Sequence, residues 1–279
     1  MITRAVFFPF DLFGSPGTKT GAEMLADAFE EMLADNRREK GATRARAYAG
    51  KVRFEEITFA TIADYADWQN QARQRIERAL QKNEFLLWVT GNHLGALPVY
   101  EELGKAAKPA LVVQLDAHLD IYNLSDCATE LTHGNFVLRA PGPMPALVNL
   151  GHRELLLRAD HIAKHYRAVF SAAEIAVDRA GVLDKLRGVC ADFERIYLDL
   201  DCDALDPAVF PAVKEPRPFG LASDMVLQVL AAIGAERLSG LTISEFDPAR
   251  DVNDRCLETL MWLIEYVLLL KYERTRLSP

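Results

Sequence analysis

Seven short apolar runs recur along the chain, and each has the length of a buried β-strand. Runs such as Leu111-Val112-Val113 are apolar without alternation, which is typical of a strand covered on both faces. Segments with the 3.6-residue period of amphipathic helices lie between many of these runs. The predicted strands are residues 5–8, 85–89, 110–115, 146–150, 168–170, 196–200 and 241–243, and the predicted helices include 22–34, 68–81, 225–233 and 255–271.

This alternation of strands and helices predicts an α/β fold with three αβα layers, in which helices cover both faces of a doubly wound, mainly parallel sheet. A chain of 279 residues can form such a fold as one domain, and we expect a single domain over residues 1–279. Two segments, 123–132 and the proline-rich 207–218, predict long irregular loops. Folds of this class bind ligands beyond the carboxyl ends of their strands.

Composition narrows the range of partners and compartments. The net charge of −8 argues against a nucleic acid or an anionic membrane as the partner. The sequence shows neither the pattern of a signal peptide nor an apolar stretch long enough to span a bilayer. The four cysteines form no CxxC pair, which indicates free thiols in a reducing compartment. We therefore expect a cytoplasmic protein.

Acidic and histidine side chains follow four of the predicted strands directly. Because the carboxyl ends of parallel strands meet at one edge of the sheet, these side chains are expected to converge. Four aspartates and two histidines in one place need cations to neutralise them, and carboxylate-rich sets suit two divalent ions. The motifs are Gly91-Asn92-His93, Asp116-Ala117-His118-Leu119-Asp120, Asp201-Cys202-Asp203 with Asp206-Pro207, and Glu245-Phe246-Asp247-Pro248.

The separate motifs differ in how specific they are. Asp201 and Asp203 alone would often be a solvated loop or a helix cap. Asp116, His118 and Asp120 are more specific, since alternating residues of an extended segment project to the same side and three ionisable groups leaving a buried strand need partners. A structural zinc site would instead prefer cysteine and histidine ligands. The combination predicts a site for two oxygen-preferring metal ions.

These motifs give the chain a resemblance to the ureohydrolase (arginase–agmatinase) family of manganese enzymes. Gly91-Asn92-His93 resembles that family's GGDH, Asp116–Asp120 its DAHxD, and Asp201–Pro207 its DxDxxDP. His133-Gly134 resembles its HG, and Glu245–Pro248 its ExxP. Asn92 departs from the pattern, because the family has an aspartate there.

The resemblance implies two Mn²⁺ ions, hydrolysis of a guanidino group to urea and an amine, and homotrimers or hexamers. By this resemblance, Asp120 accepts the proton of the attacking water and His133 transfers a proton. Glu245 binds the guanidinium, whose paired N–H groups fit a carboxylate. The ligands implied are His93, Asp116, Asp120 and Asp201 for one ion, and Asp116, His118, Asp201 and Asp203 for the other.

The substrate beyond its guanidino group stays open. The spacing from Asp120 to His133 resembles that of the arginases. In arginases the loop between these two positions binds the amino-acid end of free arginine. The resemblance therefore makes Tyr122, Asn123 and Thr129 candidate substrate contacts. Tyr122 and Thr129 replace the usual asparagine and serine, and Leu156 stands where an aspartate is expected. These changes favour an arginine-type substrate, either an arginine residue in a peptide or arginine. Tyr122 also resembles the agmatinases, so agmatine or another small guanidino compound is the alternative.

Two other classes of protein remain as rivals. One is a non-catalytic relative, which would be expected to have lost ligands, and the other is a metal-dependent deacetylase, which uses a single zinc ion and has no counterpart of Glu245. Asp199 lies two residues before Asp201 and faces the same way, where relatives have a small hydroxyl residue. Either it supports the metal site or it pairs elsewhere.

Overall fold

The computed structural model describes residues 1–273, and one eight-stranded sheet runs through its centre. All seven pairings between neighbouring strands are parallel. The strands are β1 Thr3–Phe8, β2 Val52–Glu56, β3 Phe85–Thr90, β4 Ala110–Leu115, β5 Ala146–His152, β6 Ala168–Ser171, β7 Arg195–Asp201 and β8 Leu238–Ser244. Their order across the sheet is β2-β1-β3-β8-β7-β4-β5-β6.

Helices cover both faces of the sheet, and their buried residues follow the helical period. Helix α3 buries Trp68, Ala72, Ile76 and Ala79, which form one apolar stripe. The α-helices are α1 Thr18–Arg38, α2 Ile62–Ala66, α3 Trp68–Gln81, α4 Leu97–Gly104, α5 Phe136–Arg139, α6 Ala159–Ile162, α7 Ala172–Val177, α8 Arg179–Ala191, α9 Asp224–Ile233 and α10 Arg255–Tyr272. Short 3₁₀ turns occur at Arg44–Ala47, His93–Ala96, Cys202–Ala204 and Pro248–Arg250.

The sheet separates two hydrophobic cores. Successive side chains of a strand point to opposite faces, so Phe7 lies in one core while Val6 and Phe8 lie in the other. In β4 the same alternation sends Val113 to the first core and Val112 to the second. The predicted three-layer α/β fold is therefore confirmed, and the sheet is parallel throughout.

All seven predicted strands are present, but the sequence interpretation missed β2. The sequence of β2, Val-Arg-Phe-Glu-Glu, carries three charged residues, and none of its residues is fully buried because it forms an edge of the sheet. The predicted loops 123–132 and 207–218 contain no helix or strand. A single domain over residues 1–279 stays a prediction, since residues 274–279 lie outside the described part.

Two further expectations concern the thiols and the membrane. All four cysteines are free, and Cys127 is partly exposed while the other three are buried. Within residues 1–273, every helix is too short or too polar to cross a bilayer.

Candidate metal centre and catalytic site

Four adjacent strands in the middle of the sheet, β3, β8, β7 and β4, carry the polar motifs at their carboxyl ends. His93 follows β3, Glu245 follows β8, Asp201 ends β7, and Asp116 follows β4. These four residues come from segments up to 152 residues apart in sequence, and all are 4% exposed or less. The parallel topology thus places them at one edge of the sheet, as the sequence predicted.

The first cluster surrounds the imidazole of His93. Its Nδ1 lies 3.2 Å from Asp116 Oδ2, 3.0 Å from Asp120 Oδ2 and 3.2 Å from Asp201 Oδ2. The ligand atoms of His93, Asp116 and Asp120 all lie within 4.8 Å of one another. Neither Asp116 Oδ2 nor Asp120 Oδ2 has a hydrogen-bond partner within the described chain. Buried carboxylate oxygens without partners are costly unless a cation binds them.

Asp199, whose role the sequence left open, contacts the other ring nitrogen of His93. His93 Nε2 lies 2.9 Å from Asp199 Oδ2, and the hydroxyl of Tyr100 donates to the same oxygen. With a proton on Nε2 for Asp199, the neutral ring directs the lone pair of Nδ1 at the three carboxylates. A lone pair facing three carboxylate oxygens is repulsive without a cation between them, so the donor set fits a metal ion. Burial works to lower the pKa of His93, but Asp199 and the nearby carboxylates of Asp116 and Asp120 raise it well above its usual value.

The second cluster pairs His118 with Asp203. His118 Nδ1 lies 2.9 Å from Asp203 Oδ2 and 3.7 Å from Asp116 Oδ1, and the ligand atoms of these three residues are also within 4.8 Å of one another. Asp116 therefore belongs to both clusters. Burial works to lower the pKa of His118, but Asp203 outweighs it, so that the pKa rises to about 10. Burial and the charge of Asp120 raise the pKa of Asp116 to about 7, as expected of carboxylates crowded together without cations.

Two residues of the site have a left-handed backbone that residues other than glycine rarely adopt. Asp120 has φ +49° and Glu245 has φ +63°. The carbonyl of Asp120 accepts hydrogen bonds from the amides of Val137 (3.1 Å) and Leu138 (3.3 Å). The amide of Glu245 donates to the Gly91 carbonyl at 2.7 Å. Such strain clusters where the surrounding structure fixes a functional group in place.

Glu245 and His133 lie beside the first cluster. The amide of His93 donates to Glu245 Oε1 at 2.9 Å, and His133 Nδ1 lies 3.5 Å from the same oxygen. Burial works to lower the pKa of His133, but Glu245 and Asp120 raise it above its usual value. Glu245 is 4% exposed, whereas the side chain of His133 is 33% exposed and open to the cavity.

The loop after β1 packs directly on His133. A Cβ atom at Gly14 would lie 2.0 Å from the His133 ring, so only glycine allows this approach. Asn92 Nδ2 donates to the carbonyls of Leu12 and Gly14, both at 2.8 Å. An aspartate at position 92 would direct a carboxylate at those two carbonyl oxygens. Asparagine in place of the aspartate of the family's GGDH therefore suits the loop after β1, because its amide can donate to both carbonyls.

A cavity of about 220 Å³ opens above both clusters. Three of its lining residues were not among the candidates predicted from the sequence. They are Ser15 and the charged residues Glu215 and Arg217 of loop 207–218. Their loops follow β1 and β7, and a closer examination of every strand-end loop could have marked them as candidates. The lining residues are Ser15, His93, His118, Asp120, Tyr122, His133, Gly134, Asp201, Asp203, Glu215, Arg217 and Glu245.

Of the three candidate substrate contacts, the structure brings only Tyr122 to the cavity. Asn123 and Thr129 are exposed and do not line it. Thr129 Oγ1 donates a hydrogen bond to Glu130 at 3.1 Å. Leu156, at the expected aspartate position, is 72% exposed. Contact of Asn123 and Thr129 with a substrate stays a prediction.

Comparisons with known proteins agree with this architecture. The sequence model of the Arginase family matches residues 5–269, so this chain belongs to the Arginase family. An agmatinase from Proteus mirabilis is 25% identical over 252 residues, which cover 88% of this chain and 79% of that protein. The fold is similar to that of an arginase from Bacillus subtilis (TM-score 0.75, 19% identity, all of both chains) and of a hypothetical agmatinase from Burkholderia thailandensis (TM-score 0.77, 21% identity, 98% of this chain and 86% of that one).

Proposed function

We propose that this chain is a binuclear manganese amidinohydrolase that hydrolyses the guanidino group of an arginine-type substrate to urea and an ornithine-type amine. The substrate would be an arginine residue in a peptide or arginine. The observation that carries this proposal is the buried carboxylate of Glu245 beside two clusters of metal-ligating side chains. A guanidinium ion is the ligand whose planar N–H pairs match such a carboxylate.

The metal ions would be held by the two clusters. His93, Asp116, Asp120 and Asp201 would bind one ion, and Asp116, His118, Asp201 and Asp203 the other. Oxygen-rich donor sets of this kind suit Mn²⁺. When bound, the pair supplies Lewis-acid chemistry and makes water acidic enough to be a nucleophile near neutral pH.

The protein side chains would then position the substrate and move protons. Glu245 binds the guanidinium and aims its central carbon at the clusters, while the amide of His93 holds Glu245 Oε1 at 2.9 Å. Asp120 accepts the proton of the attacking water through Oδ2, which has no other partner within the described chain. His133 donates a proton to the departing nitrogen, so that a neutral amine leaves.

A small guanidino compound such as agmatine is the second candidate. Two observations favour it: Tyr122 lines the cavity, and a protein named agmatinase is similar over 88% of the chain. Cytoplasmic localisation and assembly into trimers or hexamers also remain predictions.

The test is the release of urea by the purified, Mn²⁺-loaded protein. We expect urea from a doubly blocked arginine peptide or from arginine, whereas urea from agmatine alone would favour the second candidate. Glu245→Gln keeps the shape but loses the charge, so kcat/KM should fall roughly 10- to 100-fold, matching the loss of a hydrogen bond to a charged group. The matched control is Glu194→Gln, which changes a glutamate whose side chain is 79% exposed and far from the site. Absence of urea from every guanidino compound would refute the proposal.

A further inference from the structure

Four large apolar side chains project into solvent around the cavity, and we call them the apolar rim. They are Phe13 (59% exposed), Leu155 (94%), Leu156 (72%) and Phe219 (83%). They come from the loops after β1, β5 and β7, which belong to the same sheet edge as the metal clusters. In the sheet order, β1 and β5 flank the four central strands. The rim therefore has members on opposite sides of the site.

The members of the apolar rim lie on loops that reach the cavity wall or adjoin it in the chain. The carbonyl of Phe13 accepts a hydrogen bond from the amide of His133 at 3.3 Å. Phe219 lies two residues after the cavity-lining Arg217. Leu155 and Leu156 follow Glu154, whose carboxylate accepts a hydrogen bond from the amide of Leu156.

The guanidinium of Arg153 links two of these loops to the metal ligands. Its Nη2 donates to the carbonyl of Asp203 at 2.6 Å and to the carbonyl of Arg217 at 3.2 Å. The loop that carries Leu155 and Leu156 is thus bonded to the loop that carries Phe219. These two loops are therefore held by the same hydrogen bonds that reach the backbone of the second cluster.

The backbone at both phenylalanines is strained. Phe13 has φ +62° and Phe219 has φ +58°, a conformation that bulky side chains rarely adopt. Strain of this kind is found at ligand clamps, and large exposed apolar patches mark binding surfaces.

We propose that the apolar rim binds bulky apolar side chains on either side of the reacting arginine in a polypeptide substrate. The cavity of about 220 Å³ accommodates little more than one side chain, so the rest of a polypeptide must lie across the rim. A small charged compound would gain nothing from this surface, whereas apolar neighbours of the arginine would lose contact with water there. This inference rests on the proposed guanidino hydrolysis.

The test compares kcat/KM for urea release from two doubly blocked tripeptides, one with leucine on both sides of arginine and one with serine. We expect the leucine peptide to be preferred at least tenfold, since each buried leucine adds a favourable transfer free energy. In the double variant Phe13→Asn, Phe219→Asn this ratio should fall about tenfold. Asparagine tolerates the left-handed backbone, so the fold should be retained. A general loss of activity would lower kcat/KM for both peptides alike and would leave their ratio unchanged.

Two further variants complete the experiment. Leu155→Ser changes the most exposed rim residue and should lower the ratio by itself. The control is Trp262→Gln on α10, which removes an aromatic side chain that is 57% exposed and outside the rim, and the ratio should not change. Equal kcat/KM for the two peptides, or a ratio unchanged in the rim variants, would overturn this inference even if urea is released. If the double variant dissociates an oligomer and leaves the ratio unchanged, the rim binds a second copy of the chain and not a substrate, which also overturns the inference. Absence of urea from both peptides and from acetylarginine amide would overturn the proposed peptide substrate itself.

Discussion

Asp199 shows what a single buried carboxylate does to a neighbouring ligand. It is fully buried within β7, two residues before the strand ends, and its Oδ2 lies 2.9 Å from His93 Nε2. The sequence revealed the residue as unusual but could not decide its role, because the partners come from elsewhere in the chain. His93 follows β3 and Tyr100 lies on α4, and only the fold brings both to β7. The ligand types themselves were predictable, since each one follows an apolar strand.

Removing the charge of Asp199 should weaken metal binding. In Asp199→Asn the side chain keeps its shape, but it no longer makes His93 more basic or favours the ring form with a free Nδ1. We expect the affinity for Mn²⁺ to fall roughly 10- to 100-fold, as for other partners of metal-binding histidines. The affinity is measured by competition with a chelator of known strength. Tyr100→Phe is the control, because it removes a hydroxyl from the same oxygen without changing the charge. An unchanged affinity in Asp199→Asn would show that Asp199 does not support the site.

At the scale of secondary structure, the apolar runs were sufficient for every strand except β2. This edge strand pairs only with β1, and its charged side chains conceal its strand character. Arg4 of β1 forms ion pairs with Glu55 of β2 and with Glu84, which directly precedes β3. The loops were predicted as irregular, but the sequence could not indicate that Glu215 would face the cavity while Asn123 would not. Irregular backbone has no period from which the direction of a side chain follows.

The ion pair between Arg4 and Glu84 should matter for the stability of this edge. The side chains of Arg4 and Glu84 are 3% and 5% exposed, and Arg4 Nε donates to Glu84 Oε2 at 2.7 Å. Glu84→Gln removes one of the two carboxylates that pair with the buried Arg4 guanidinium, so the free energy of unfolding should fall by about 2 kcal/mol. Urea denaturation measures this change. Glu194→Gln breaks an exposed pair with Lys108 and should cost less than about 1 kcal/mol. Equal effects of the two substitutions would contradict the structural role of Arg4.

For the whole molecule, the crowded clusters couple stability to both pH and metal. Without metal, the pKa of His118 is about 10 instead of 6.5 and that of Asp116 is about 7 instead of 3.8. The folded chain therefore binds more protons than the unfolded chain between pH 3.8 and 10 at these groups. Stability that is present at low pH is lost as the pH rises through this window.

Bound cations should remove this loss. We expect the Tm of chelator-treated protein to fall as the pH rises from about 6 to about 9, whereas the Tm of Mn²⁺-loaded protein should change less, because ligands must lose protons to bind metal. Scanning calorimetry of both forms over this pH range measures the difference. The variant His118→Asn should show a smaller fall in the metal-free form. Parallel curves for the two forms would mean that the clusters do not exchange protons for cations.

The most direct measurement counts the metal ions in each chain. After loading with Mn²⁺ and removal of excess metal, native mass spectrometry of the intact protein should show two ions per chain. The double variant His118→Asn, Asp203→Asn should retain one ion, because the cluster around His93 stays complete. A wild-type chain that binds one ion or none, or a variant that still binds two, would contradict the paired metal site from which the proposed chemistry follows.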